Sequence, residues 1–107
     1  MKLIMAIVNN DDSSVVSNHL TEKGFFATKL ATTGGFLKAG NTTFLIGTEE
    51  EKVDDALSII REYSKKRTQI LPAMSSLTPG YYDSIPIEVQ VGGATIFVMD
   101  VENFEKC

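Results

Sequence analysis

The spacing of hydrophobic and polar residues divides the first part of the chain into a strand and a helix. Leu3–Val8 is apolar without interruption, which is typical of a central strand that is buried on both faces. A cluster of Asn and Asp residues follows and predicts a helix N-cap. The helix is expected over residues 13–23, with Val16 and Leu20 on one face and Gly24 at its C-terminal end.

Further along the chain, the pattern predicts two more strands and a second helix. Phe25–Thr33 is expected to form a strand with Phe26 and Thr28 on the same face, and Thr42–Ile46 the next strand. A second helix is expected over residues 49–67, because an acidic run opens this segment and a basic run closes it, as the helix dipole favours. Its buried face repeats at i, i+3, i+4 and i+7 and consists of Val53, Ala56, Leu57 and Ile60.

The last third of the chain is predicted to be a long loop followed by two strands. All three prolines lie within Leu71–Pro86 among Ser, Thr and Gly, so this segment is expected to be a surface loop. Ile87–Val91 and Ala94–Met99 are then strands on either side of Gly92 and Gly93. That glycine pair is either a two-residue hairpin turn or a bulge, and the pattern does not decide between them.

This order of elements predicts an α+β fold, namely a ferredoxin-like βαββαβ sandwich with a long loop after the second helix. Residues 1–107 are expected to form a single domain, because a chain of this length suits one hydrophobic core. The two helices cover only one face of such a sheet. Since the strands are rich in Thr and apolar residues and no third helix covers the other face, we expect the protein to self-associate.

Composition and charge narrow the functional classes. A hydrophobic content of 43% excludes wholesale disorder, and a net charge of −4 gives no basic surface for a nucleic acid polymer. With Cys107 as the sole cysteine, no intrachain disulfide is possible. The apolar run Leu3–Val8 is too short for a membrane span or a signal-peptide core, so a cytoplasmic location is expected.

Few residues suit catalytic or metal chemistry. His19 lies in the middle of the first predicted helix beside Val16 and Leu20, where a packing role is expected. Cys107 is terminal and has no fixed neighbour to activate it as a nucleophile. The acidic residues that open the second helix are interpreted as complements of its dipole rather than as metal ligands. We therefore predict no catalytic residue, no metal site, no cofactor and no enzymatic activity.

The glycine-rich segment between the second and third strands is the candidate binding site. Gly34, Gly35 and Gly40 allow positive φ angles and successive free amides, which favour an anion. Phe36 offers a ring on which a base can stack, and Asn41 has the donors and the acceptor that pair with an adenine edge. The segment therefore suits a phosphate-bearing adenine nucleotide. The alternative is a plain turn, with Phe36 in the core and Asn41 as a left-handed turn residue.

Two blocks of the sequence resemble a known family. Ala31–Gly47 and Glu88–Met99 resemble the signatures of the PII-like cyclic di-AMP receptors of Gram-positive bacteria. These receptors are nitrogen-regulatory-PII-like signal transduction proteins. The resemblance implies a non-enzymatic homotrimer that binds cyclic di-AMP between subunits and acts on an unknown protein target. The ligand-binding positions that it implies are Thr28, Gly35, Phe36, Leu37, Asn41, Gly47, Gly92, Gly93 and Phe97.

The resemblance also implies a role for several of these positions. Asn41 would bind the edge of an adenine, and Phe36 and Leu37 would pack on its face. The hydroxyl of Thr28 and the glycine amides would bind phosphate oxygens.

The chain departs from the family pattern at three places. Members commonly carry a basic residue where this chain has Phe26, so a charged phosphate contact is missing. Members commonly carry Gly-Gly-Asn-Ala-Asp-Ser-Tyr in the long loop, whereas the loop of this chain ends with Tyr81–Ser84. The tail Asn103–Cys107 lacks the Gln that can reach the nucleotide in the family.

Two alternative functions stay open: a PII-like sensor of another adenine nucleotide such as ATP, and a small trimeric metal-tolerance protein of the same fold.

Overall fold

A computed structural model of the protein describes residues 1–30, 40–71 and 87–107. The centre of the glycine-rich segment and nearly all of the predicted long loop lie outside these ranges. In chain order, the described elements are β1 Lys2–Asn9, α1 Asn10–Glu22, β2 Ala27–Leu30, β3 Asn41–Thr48, a 3₁₀ turn Glu50–Lys52, α2 Val53–Tyr63, β4 Arg67–Leu71, β5 Ile87–Val91 and β6 Ala94–Asp100.

Four strands form one antiparallel sheet in the order β2-β3-β1-β6. Strand β1 is central, pairing Lys2–Asn9 with β3 on one side and Lys2–Val8 with β6 on the other. With α1 and α2 packed on one face, this arrangement is the predicted ferredoxin-like sandwich, and the fold prediction is confirmed.

The core lies between that sheet face and the two helices. Every second residue of β1 enters it, because successive side chains of a strand point to opposite faces. The predicted helical faces supply the other side of the core. Among the residues whose burial the structure describes, the buried hydrophobic ones are Ile4, Ala6, Val8, Val16, Leu20, Phe25, Phe44, Ile46, Ala56 and Ile60. The other face of β1 is only half-buried, so the expectation that this strand is buried on both faces is wrong for the described chain.

The ends of α1 follow from its sequence. The side chain of Asn9 caps the helix by accepting a hydrogen bond from the Asp11 amide at 2.8 Å, so the helix begins three residues before the predicted start. At the other end, Gly24 has a φ of 86°, and its amide donates to the Thr21 carbonyl at 3.0 Å. The predicted glycine stop is therefore confirmed.

The packing role predicted for His19 is also confirmed. Its ring stacks on Tyr63 of α2, with the ring centroids 3.8 Å apart and the planes within 4° of parallel. This contact helps to set the distance between the two helices.

A second, two-stranded sheet was not predicted. Strand β4 pairs antiparallel with β5, and we call this pair the arm. The second helix ends at Tyr63, and the basic run that was expected to close it leads into β4 instead. Because β5 pairs with β4 while β6 pairs with β1, the predicted hairpin turn or bulge at Gly92 and Gly93 is wrong. These two glycines carry the chain from the arm to the main sheet.

Candidate functional site

The sheet face opposite the helices carries four of the predicted site residues, namely Thr28, Asn41, Gly47 and Phe97. Directly paired residues of an antiparallel sheet point to the same side, so the register shows which side chains share this face. We call it the open face, and its members include Leu3, Met5, Ile7, Thr28, Asn41, Leu45, Gly47, Thr95, Phe97 and Met99. Thr28 and Phe97 lie in one row across the sheet, separated by Leu45 and Met5.

One end of the open face forms a cavity of about 670 Å³. We call it the tail cavity, because residues after β6 form one of its walls. Its lining consists of Met1, Leu3, Phe26, Thr28, Leu45, Gly47, Val101, Phe104, Glu105 and Lys106. Apolar side chains dominate, and the Thr28 hydroxyl is the hydrogen-bonding group at its sheet wall. The cavity therefore suits a flat, largely apolar group that carries a polar edge.

The other end of the open face forms a smaller cavity of about 320 Å³. We call it the glycine cavity, and it is lined by Ile7, Asn41, Lys66, Gly92, Gly93, Ala94 and Thr95. Asn41 supplies amide donors and an acceptor, and Lys66 supplies a positive charge. A group with both a hydrogen-bonding edge and an anionic part fits this lining.

The predicted site residues thus fall into two groups. Thr28 and Gly47 line the tail cavity, whereas Asn41, Gly92 and Gly93 line the glycine cavity. Leu3 of the tail cavity and Ile7 of the glycine cavity are four residues apart in β1, a length of about 13 Å along the strand. Phe97 lies on the open face at the edge strand and is 52% exposed. Gly35, Phe36 and Leu37 lie outside the described residues.

Asn41 is not a left-handed turn residue. The positive φ of this turn belongs to Gly40, at 91°, and no described residue other than glycine has a positive φ. Asn41 is the first residue of β3, where it pairs with Asn9 and is half-buried. The alternative that explained Asn41 by turn conformation alone is therefore wrong.

The two glycines of the glycine cavity have different surroundings. Both have positive φ angles, 85° for Gly92 and 87° for Gly93. The amide of Gly93 already donates a hydrogen bond to the carbonyl of Ser64. Its contribution to a ligand site is therefore the shape of the turn rather than a free amide.

Sequence reasoning missed several residues that line the two cavities. Phe104 and Lys106 follow β6, and no periodicity placed them beside Thr28. The charge pattern predicts Lys66 at the end of α2, whereas Lys66 precedes β4 and lines the glycine cavity. Thr95 carried a usable signal, because alternation along β6 places it on the same face as Phe97.

None of the described helices is long and apolar enough to cross a membrane. Across residues 1–30, 40–71 and 87–107, no group of three or more His, Cys, Asp or Glu side chains is placed so that it could hold a metal ion.

The four-stranded sheet, the two helices on one face and the two cavities on the other define a ferredoxin-like protein of the PII type. The chain belongs to the cyclic-di-AMP receptor family, whose model matches residues 1–107. It is also similar to the crystal structure of a functionally unknown protein from Pediococcus pentosaceus, with 43% sequence identity and a TM-score of 0.75. That match covers 99% of this chain and 96% of the other.

Family membership decides two of the predictions. The resemblance seen in the two sequence blocks is confirmed. The family consists of non-enzymatic signalling proteins, so the prediction that the chain is not an enzyme is also confirmed.

Proposed function

We propose that the protein is a homotrimeric receptor that binds cyclic di-AMP at the boundary between two subunits. The observation that carries this proposal is the separation of the predicted site residues into two groups at opposite ends of the open face. A single sheet holds the two groups about 13 Å apart, so one chain does not join them into one compact pocket. A neighbouring subunit that brings its glycine cavity to the tail cavity would join them.

The open face has the composition of a surface that another subunit covers. Its centre is formed by Leu3, Met5, Leu45, Phe97 and Met99. Phe97 and Met99 remain 52% and 39% exposed in the single chain. An apolar face of this kind is expected to be buried by association, and cyclic symmetry would repeat the same contact around a closed ring.

The ligand's chemistry fits the two linings. Cyclic di-AMP has two adenine bases and two phosphates. An adenine would pack against Phe26 or Phe104 in the tail cavity, with Thr28 donating to a phosphate oxygen. Asn41 of the neighbouring subunit would pair with an adenine edge, and Lys66 would lie near a phosphate. Ligand binding would then alter the surface that the trimer presents to a cytoplasmic protein target.

Calorimetry with a nucleotide panel tests this proposal. We expect cyclic di-AMP to bind with about one ligand per chain, since closed symmetry repeats each boundary. At 100 times its dissociation constant, the ligand should stabilise the folded protein by about 2.7 kcal/mol in a thermal-shift assay. ATP and cyclic di-GMP are the controls. If ATP binds and saturating cyclic di-AMP does not, the protein is a sensor of another adenine nucleotide.

A further inference from the structure

We propose that Asp12 and Arg67 are positioning residues of the ligand site, because their ion pair supports the Gly92–Gly93 turn that lines the glycine cavity. The proposal rests on the proposed function for the ligand, but its structural part applies to the ligand-free protein as well.

The ion pair has the geometry of a two-pronged contact. Arg67 Nη2 lies 2.9 Å from Asp12 Oδ1, and Nη1 lies 3.3 Å from Oδ2. Nη1 also donates to the carbonyl oxygen of Lys65 at 3.1 Å. The Asp12 side chain is only 9% exposed, so its carboxylate needs this partner. The pair joins the first turn of α1 to the first residue of β4, at the base of the arm.

Gly92 packs directly on this pair. A Cβ atom at position 92 would lie 2.5 Å from the Lys65 carbonyl oxygen and 2.6 Å from Arg67 Nη1. It would also lie 3.3 Å from Asp12 Oδ2. The guanidinium group and the carboxylate therefore form the surface on which the backbone of the turn rests.

The same turn of α1 also holds the other wall of the glycine cavity. The amide of Asn10 donates to the Gly40 carbonyl at 2.8 Å. The Asn10 side-chain oxygen accepts from the Thr42 hydroxyl at 2.5 Å. Both residues adjacent to Asn41 are thus anchored on Asn10, while Gly92 is anchored through Asp12. Asn10 and Asp12 therefore set the separation between Asn41 and the glycine turn across the cavity.

The test compares variants that remove the pair with one that removes a neighbouring charge. Asp12→Asn and Arg67→Gln each abolish the ion pair, and the matched control is Asp11→Asn, an exposed carboxylate in the same helical turn. Cyclic di-AMP affinity is measured by calorimetry at a temperature where every variant is folded. We expect each pair variant to bind roughly two- to thirtyfold more weakly and the control to bind like the wild type.

The double variant tests whether the two residues act through one contact. We expect Asp12→Asn/Arg67→Gln to bind about as weakly as either single variant, because all three lack the same pair. A purely structural pair would lower the melting temperature without changing the affinity of the folded protein. Equal affinities for Asp12→Asn, Arg67→Gln and Asp11→Asn would therefore overturn the proposal. If Asp12→Asn does not fold, Arg67→Lys replaces it, since the Arg67 side chain is partly exposed and Lys keeps the charge but not the two-pronged contact.

Amide hydrogen exchange separates this proposal from the proposed function. In the ligand-free protein, the Gly93 amide donates to Ser64 and is expected to exchange slowly. Asp12→Asn or Arg67→Lys should accelerate that exchange, and Asp11→Asn should not. If the wild type binds no cyclic di-AMP, the proposed function fails. The exchange data then decide the positioning role alone, and unchanged exchange in the pair variants would overturn it.

Discussion

Phe26 shows how much a single residue can change the character of the candidate site. It is 88% exposed, the highest value among the large hydrophobic residues of the described ranges, and it lines the tail cavity beside Thr28. Exposing an aromatic ring has no benefit for the folding of one chain. A ring at the mouth of a cavity can instead stack on a base, which compensates for the missing charged contact to a phosphate.

We predict that Phe26→Ala weakens cyclic di-AMP binding without destabilising the free protein. Stacking of a base on an aromatic ring contributes roughly 1–3 kcal/mol, whereas exposed substitutions usually change stability by less than about 0.5 kcal/mol. Calorimetry and thermal melting measure the two effects. Val15→Ala is the control, because Val15 is also exposed but lies on α1. Equal affinity of Phe26→Ala and wild type would place Phe26 outside the ligand contact.

Phe26→Arg extends this prediction by restoring a basic residue. If Phe26 stacks on the ligand, the Arg variant should bind no more tightly than the wild type. Tighter binding with a steeper salt dependence would instead show that Phe26 leaves a gap beside a phosphate, because salt screens a new exposed charge pair.

Substitution of Asn41 tests the proposed ligand contact in the glycine cavity, at the other end of the open face. A two-pronged contact to a base edge contributes roughly 1–3 kcal/mol, so Asn41→Ala should lower the affinity by that amount. The melting temperature should change little, because Asn41 has an extended backbone conformation that Ala also adopts. A lower melting temperature with unchanged affinity would contradict this prediction and assign Asn41 a structural role.

Alanine substitutions at Gly92 and Gly24 distinguish the energetic cost of backbone strain from that of a steric clash. Both have φ angles near 85°, which costs a residue with a side chain about 1–2 kcal/mol. A Cβ at Gly24 meets nothing within 4 Å, whereas one at Gly92 collides with Lys65 and Arg67. Gly92→Ala should therefore lower the free energy of unfolding by clearly more than Gly24→Ala, as measured by urea denaturation. Equal losses would show that the turn moves away from the ion pair freely.

At the scale of secondary structure, the sequence predicted the elements whose apolar spacing is strong. The face of α2 repeats through Val53, Ala56, Leu57 and Ile60, and all four are buried or packed against the core. Strand β4 was not predictable in this way, because Arg67–Leu71 follows two lysines and resembles a helix end. Its strand conformation depends on pairing with β5, a contact between residues about 20 positions apart.

The candidate site was predictable as a set of residues but not as an arrangement. Alternation placed Phe26 and Thr28 together, and both line the tail cavity. The separation of Asn41 from Thr28 depends on the register between β2, β3 and β1, which no local pattern specifies. The role of Arg67 beneath Gly92 likewise depends on a contact with Asp12, 55 residues earlier.

The ends of β1 and β6 are joined by an ion pair between directly opposite residues, Lys2 and Asp100. The hydrogen bond from Lys2 holds the pKa of Asp100 below its ordinary value, and the same contact raises the pKa of Lys2. The Asp100 contribution to stability is therefore full above about pH 4 and lost as the pH falls through its folded pKa. The Lys2 contribution is full below about pH 10 and lost as the pH rises through its folded pKa.

We therefore predict that Lys2→Gln lowers the melting temperature most near neutral pH. The difference from the wild type should shrink in acid below the folded pKa of Asp100 and in base above that of Lys2. High salt should also reduce it, because Asp100 is exposed. Lys23→Gln, an exposed lysine for which the described residues show no ion pair, is the control. A difference that stays constant between pH 3 and pH 7 would contradict the prediction.

For the whole molecule, the open face links the fold to the proposed function. The helices bury one face of the sheet, and the apolar rows of the other face end at the edge strand β6. From the sequence, we predicted only that this face is buried by self-association. Because the two ligand-lining groups lie on this same face, the contact that would cover it would also complete the binding site.

We predict a homotrimer of about 35 kDa, three times the chain mass of 11.7 kDa, in light scattering after size exclusion. Met99 and Val98 are neighbours in β6 with similar exposure, 39% and 44%, but they point to opposite faces of the sheet. Met99→Asp places a charge on the open face, where burial against another subunit would desolvate it, so this variant should dissociate. Val98→Asp places the same charge on the helix side and should remain trimeric. A wild-type monomer at micromolar concentration, or equal dissociation of both variants, would contradict assembly through the open face.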